Sequence, residues 1–225
     1  MRQFEKNIVP GAAAYVDRLV LGQLATNVYA IHGILGTVLI DPACDAPVII
    51  EALGTTVPDA ILITHYHWDH VGAAAELRDH YGIPVIASAV DAPLIEEGPI
   101  GFGGIAAPPC PVDVRVHEGD VVSFGTLRFT VMETPGHSLG SVCYWLEGTV
   151  EPGAESMGKP ILVSGDTLFC GTIGRTDFAD SDPEAMVRSL EKLTKLPDAT
   201  QVLPGHDSMT TIGAERERVF QRFCR

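Results

Sequence analysis

Short apolar runs rich in β-branched residues, cut by Gly, Pro and Asp, recur along most of this sequence. Arg18 to Gly22, Thr26 to His32 and Gly36 to Asp41 read as three consecutive strands joined by glycine-bearing turns, with Pro42 closing the third. Asp45 to Leu53 is a short helix with Asp45 near its start. Ala60 to Ile63, bounded by Pro58-Asp59, is a short buried strand. His70 to Tyr81 has the composition of a helix, and Gly82 is placed to stop it. Ile83 to Ser88 is another strand, and residues 89–97 form a short helix. Val114 to Val116, Asp120 to Ser123, Thr126 to Met132, Ser141 to Leu146 and Ile161 to Ser164 continue as strands, with a polar turn over 148–159. Pro183 to Lys195 is a helix capped by Asp182, Gln201 to Leu203 a last strand, and Ile212 to Phe223 a last helix.

Strands outnumber helices, and helices fall mid-chain and at the end of each half. That order predicts an α+β fold of two sheets packed face to face with helices outside. No linker separates two cores and no solenoid-length repeat is present, so residues 1–225 read as one domain. The segment 98–111 holds four glycines and four prolines, which exclude regular structure, yet it is apolar. It reads either as a loop lying over a pocket or as a surface loop tucked onto the core.

Charge and cysteine usage narrow the partners. A net charge of −14 disfavours nucleic acid and anionic membrane surfaces. The five cysteines, Cys44, Cys110, Cys143, Cys170 and Cys224, are odd in number and contain no CxxC pair, so reduced thiols are expected. Asp17-Arg18 interrupts the N-terminal apolar stretch, which removes a signal-peptide reading, and no run reaches the length of a membrane span. The expectation is a soluble, cytoplasmic protein acting on a small molecule.

Candidate chemistry concentrates in His65-Tyr66-His67-Trp68-Asp69-His70, directly after the apolar run 60–63. On extended backbone, His65 and His67 at i, i+2 share one side. On a helix they would splay about 200° apart. Asp69 falls at the strand-to-helix turn and His70 opens the helix on another side. Imidazole and carboxylate are the donor set of zinc and related metals. Four donors facing two directions call for two ions. The ordinary reading, hydrogen-bonded core histidines, would leave four costly polar groups crowded without a purpose.

Three further strand ends carry the same logic. Thr134-Pro135-Gly136-His137, Val163-Ser164-Gly165-Asp166 and Leu203-Pro204-Gly205-His206 each place a His or Asp on a glycine turn after a buried strand. Each alone is an ordinary turn as readily as a ligand loop; with HxHxDH they make a pattern.

The ordered set HxHxDH, His, Asp, His resembles the metal-ligand pattern of the metallo-β-lactamase superfamily, and every position is filled: His65, His67, Asp69, His70, His137, Asp166, His206. The resemblance implies a four-layer αββα sandwich of mixed sheets and two divalent metal ions, zinc first, with iron or manganese as alternatives. His65, His67 and His137 would hold one ion, Asp69, His70 and His206 the other, and Asp166 would bridge them. Two ions sharing a water lower its pKa toward neutrality and give a hydroxide nucleophile. Residual positive charge would stabilise an oxyanion, and Asp69 would orient the hydroxide's proton.

Gly165-Asp166-Thr167-Leu168-Phe169, Gly174-Arg175-Thr176-Asp177-Phe178 and Thr211-Ile212-Gly213-Ala214-Glu215-Arg216 resemble the short glyoxalase II-like hydrolases, hydroxyacylglutathione hydrolases that cleave a thioester. The Gly-Arg-Thr-Asp-Phe signature is shared with mononuclear iron persulfide dioxygenases, the first alternative; a hydrolase of lactones or β-lactams is another. Arg175 and Asp177 read as an ion pair bracing the metal loop. Full-length glyoxalase II adds a C-terminal helical region with basic residues for glutathione. Here one helix follows His206, and its Arg216 and Arg218 read as solvated charges, which leaves the thiol carrier open. His67 stands where diiron flavoprotein relatives have Glu.

Overall fold

In β2 (Thr26–Gly33), Tyr29 and Ile31 face one way and Val28 and Ala30 the other; in β3 (Gly36–Ile40), Val38 and Ile40 oppose Leu39. This period-2 alternation sorts the core into layers. A computed structural model describes residues 2–147 and 158–224 of the chain. Of the predicted polar turn 148–159, residues 148–157 lie outside the described residues.

One six-stranded sheet runs in the order β1 (Tyr15–Leu21), β2, β3, β4 (Ala60–Leu62), β5 (Val85–Ser88), β6 (Val114–Val116). Its first three strands are antiparallel and β3 to β6 are parallel. Parallel neighbours need crossovers, which carry α1 (Ala46–Leu53), α2 (Trp68–Val71), α3 (Ala74–Tyr81) and α4 (Ala92–Glu97). The second sheet is ordered β12 (Thr210–Thr211), β11 (Gln201–Pro204), β10 (Ile161–Gly165), β9 (Val142–Leu146), β8 (Leu127–Glu133), β7 (Val121–Phe124). Here β10 and β11 are the parallel pair, and α5 (Pro183–Leu193) joins them.

Between the sheets, Tyr29, Ile31, Val38, Ile40 and Leu62 pack with Phe129, Val131, Tyr144, Leu146 and Val163. Each such fully buried side chain contributes about 1.5–3 kcal/mol by leaving water. Ile49, Leu53, Leu77 and Ile95 from α1, α3 and α4 cover the outer face of the first sheet. Met186, Leu190 and Leu193 of α5, with Ile212, Val219 and Phe220 of the C-terminal helical segment, cover the second. The result is the αββα sandwich. Among the described residues no helix is long and apolar enough to cross a membrane.

Local expectations hold with physical exceptions. Asp182 caps α5 by accepting from Glu184 N–H and Ala185 N–H, and Gly82 ends α3 in a left-handed conformation. The predicted helix 70–81 is broken in two. Ala73 N–H leaves the helix to bond Pro42 O at 2.9 Å. Gly72 packs so close that a Cβ would lie 2.3 Å from Ala43 O. The last helix contains a π-wound turn at Arg216–Phe220. The two-residue strand β12 gave no periodic signal.

The sheet ends are stitched together where the predicted donors lie. Val142 N–H bonds Thr64 O at 2.9 Å, Asn27 N–H bonds Gly205 O at 2.7 Å, and the Tyr29 hydroxyl donates to Pro204 O at 2.8 Å. Loops after β3, β4, β8, β10 and β11 therefore open on one cleft.

Candidate metal centre

His65 to His67 follow β4 on non-helical backbone, so the i, i+2 pair converges; the ring centroids are 4.7 Å apart. Asp69 and His70 lie in α2. His137 follows β8, Asp166 follows β10 and His206 follows β11. The structure brings all seven predicted residues together. Ligand-type atoms converge within 4.8 Å in three groups: His65, His67 and His137; Asp69, His70 and His206; and His65, His70 and Asp166.

Hydrogen bonds behind the rings fix which nitrogens face inward. His137 Nδ1 donates to Arg175 O at 2.8 Å and His206 Nδ1 to Leu24 O at 3.0 Å. His70 Nδ1 donates to Asp41 Oδ2 at 2.9 Å. The Thr64 hydroxyl gives its proton to Asp41 Oδ2 at 2.7 Å, so it accepts from His65 Nδ1 at 3.0 Å. In the neutral ring the other nitrogen is then a bare lone pair. The inward nitrogens crowd together: His70 Nε2 lies 3.3 Å from His206 Nε2, and His137 Nε2 lies 2.9 Å from His67 Nδ1. His65 Nε2 and Asp166 Oδ1 are buried with no hydrogen-bond partner. Inward lone pairs backed by donors to carbonyl and carboxylate oxygens are how proteins present imidazole to a metal. The residues fit divalent cations.

Asp166 occupies the middle. Its Oδ1 lies 3.4 Å from His70 Nε2, and its Oδ2 lies 3.3 Å from His137 Nε2 and 3.4 Å from His206 Nε2. Asp69 Oδ2 accepts from the Thr26 hydroxyl at 3.0 Å and lies 3.4 Å from His206 Nε2.

Burial, with the neighbouring imidazoles, holds His65 far below the usual histidine range and His67 at about 4. Burial would lower His70 and His206 too, but Asp69 and Asp166 overcome it and raise them to about 9 and about 10. In return those imidazoles overcome the burial of Asp166 and hold it at about 2, and they push Asp69 below the usual carboxylate range. The carboxylates draw positive charge to this side of the cluster, where a metal ion would displace the protons.

The sequence profile of the metallo-β-lactamase superfamily matches residues 21–206. The chain belongs to the metallo-β-lactamase superfamily. Within that superfamily it is 33% identical to the probable metallo-hydrolase YqgX of Bacillus subtilis over 89% of this chain and 94% of that one. It is 34% identical to a hydroxyacylglutathione hydrolase of Yersinia pestis over 76% of this chain but 57% of that protein. Among solved structures, TTHA1623 in a di-iron-bound form superposes with a TM-score of 0.73 at 36% identity, covering 89% of this chain and 97% of that one. The superfamily is one of metallo-hydrolases, and the His/Asp cluster is this member's metal-binding centre.

Beside the cluster lies a cavity of about 650 Å³ lined by Leu24, Tyr66, Trp68, Ile100, Phe169 and Phe178, among others. The 98–111 loop serves both of its expected roles. Pro99, Ile100 and Gly101 wall the cavity, while Ala107 and Cys110 bury themselves on the core. Arg175 and Asp177 form the expected ion pair, at 2.8 Å. The bracing of His137 comes instead from the Arg175 backbone carbonyl. Arg216 pairs with Asp198 and reaches the Thr194 and Leu196 carbonyls beyond α5, so it is tied into the fold rather than directed at a ligand.

Two further carboxylates, Asp41 and Asp91, support the donors. Asp41 directly follows β3, as Asp166 follows β10 but without the glycine, and it holds both Thr64 and His70. Asp91, in the predicted helix 89–97, accepts from Tyr66 N–H at 3.0 Å and from the Ser138 hydroxyl at 2.9 Å. It thereby clamps the HxH loop to the His137 loop. Burial pushes its carboxyl up to about 6.

Gly205 packs directly against the donor side chains of the cluster. A Cβ there would sit 2.2 Å from Asp166 Oδ1 and 2.6 Å from His70 Cε1. Gly205→Ala should therefore cost about 1–3 kcal/mol by overpacking and lower metal content. Urea unfolding with elemental analysis checks this; a variant of wild-type stability and metal content would show that the close approach is unimportant.

Proposed function

We propose that this protein is a dinuclear metal-dependent hydrolase of thioesters, most specifically of a hydroxyacyl-thiol. The observation that carries the dinuclear reading is the position of Asp166 between two convergent triads. His65, His67 and His137 would hold one ion and Asp69, His70 and His206 the other, with Asp166 facing both. The hydroxyacylglutathione hydrolase relative supports the thioester, as do the stretches Gly165–Phe169 and Thr211–Arg216. When bound, the ions would supply Lewis acidity and a water that is nucleophilic at neutral pH.

The chain's own groups supply the rest. Thr26 fixes Asp69 Oδ2, which leaves this carboxylate placed to orient the water. Trp68, Phe169 and Phe178 line the cavity and keep bulk water from the acyl carbon. Water oxygen bonds to that carbon, the C–S bond breaks, and the sulfur leaves as a thiol with the proton.

A thioester and persulfide screen on protein of known metal content tests the reading. Hydrolysis of a hydroxyacyl thioester with close to two ions per chain is expected. One iron per chain with oxygen consumption on a persulfide would replace it with the dioxygenase. Because only the folded chain assembles the site, chelation should also lower Tm by about 10 °C, and zinc should restore it. A Tm indifferent to thorough chelation would contradict metal-linked stability.

A further inference from the structure

The cavity beside the cluster is apolar at its mouth and acidic at its edge. Leu24 and Ile100 are 46% and 75% exposed there, without the burial such side chains usually take. Phe169, Phe178 and Trp68 continue the apolar wall inward. Beyond the donors of the cluster, the charged groups lining it are Arg175, Asp180 and Asp207, so Arg175 is the one basic side chain among the described lining residues. Its guanidinium is already engaged. Nε and Nη2 donate to the two oxygens of Asp177 at 2.8 and 2.9 Å, and the group lies 4.6 Å above the Phe178 ring. Tyr66, the hydroxyl best placed to grip a ligand, instead donates to Asp180 Oδ2 at 2.9 Å. Asp207 follows His206 directly and is exposed.

With the acyl carbonyl at the cluster, the rest of a thioester must run out along this wall. An anionic carrier would meet Asp180 and Asp207, and among the described lining residues outside the cluster it would find no basic side chain that is not already paired with a carboxylate; like charges placed together on binding are costly. The net charge of −14 opposes its approach as well. We infer that the site is specific for thioesters of uncharged or cationic, largely apolar thiols, and discriminates against carriers bearing carboxylates or phosphates. The inference rests on the thioesterase reading above and names the class of its leaving group.

The test uses one hydroxyacyl group on four thiols: N-acetylcysteamine, thiocholine, glutathione and coenzyme A. At low ionic strength kcat/KM for the neutral and cationic esters should exceed that for the two anionic ones by about tenfold, and salt should narrow the gap. The double variant Asp180→Asn, Asp207→Asn should raise kcat/KM on the glutathione ester about fivefold relative to that on the N-acetylcysteamine ester. An amide at 180 keeps an acceptor for Tyr66. At 207, where φ is 63°, Asn is well tolerated, so the variant should fold. Calorimetry with S-butyl N-acetylcysteamine against S-butyl glutathione gives the same comparison without turnover. Equal or better use of glutathione or coenzyme A at low salt, or equal thioether binding, overturns the inference. If no thioester is cleaved, the functional reading falls, and the thioether binding still decides the charge preference of the pocket.

Discussion

Asp166→Asn is expected to abolish hydrolysis, on the order of a thousandfold or more in kcat/KM, while His206→Ala retains measurable turnover. Asp166 is within 3.3–3.4 Å of ring nitrogens of His70, His137 and His206, so its charge serves both donor groups. An amide in its place removes that charge and would weaken the hold on both ions and the screening between them. His206 belongs to a single group, with Asp69 and His70. It is also the more accessible, with 17% of its side chain exposed against 8% for Asp166, so water can replace it. The expected loss for His206→Ala is about 10–100-fold. The check is kcat/KM on a hydroxyacyl thioester, with metal content and circular dichroism on both variants. Near-normal activity in a folded Asp166→Asn that keeps two metals would refute the bridging role. So would a more severe His206→Ala at equal occupancy.

Asp41→Ala should be among the most destabilising single substitutions in the chain, at about 3–5 kcal/mol. This carboxylate is 1% exposed and accepts from Thr64 N–H at 2.8 Å, Thr64 Oγ1 at 2.7 Å and His70 Nδ1 at 2.9 Å. Deleting it strands these donors in the interior, each at about 1–3 kcal/mol. It also frees the His70 ring and removes the anchor of Thr64, on which His65 rests. Metal affinity should fall by about 10–100-fold. Asp41→Asn, which keeps one acceptor and suits the positive φ of 45° at this position, should recover part of both losses. Urea unfolding and chelator competition measure the two effects. Stability within about 1 kcal/mol of wild type, or unchanged metal affinity, would contradict this role.

What was legible in the sequence was what is local. The layering follows from alternation inside single strands, and HxHxDH reads as a donor cluster because its spacing is short and its backbone extended. His137, Asp166 and His206 are readable because each strand-end turn carries its own glycine. The supporting contacts leave no such record. Asp91 reaches Tyr66 across 25 positions, and Tyr66 reaches Asp180 across 114. The break between α2 and α3 depends on Ala43 lying against Gly72 and on Pro42 O taking the Ala73 N–H, which composition around residue 72 does not reveal. Asp41 stands between the two cases: it sits at a strand end like Asp166, but no glycine or histidine beside it marks it.

Diffraction from metal-loaded crystals, recorded above and below the absorption edge of the metal, tests the central claim most directly. The account predicts two anomalous peaks about 3.5–4 Å apart, one on His65, His67 and His137, the other on Asp69, His70 and His206, with Asp166 touching both. A single ion shared by His65, His137 and Asp166 at full loading, with nothing at Asp69 and His206, would contradict it.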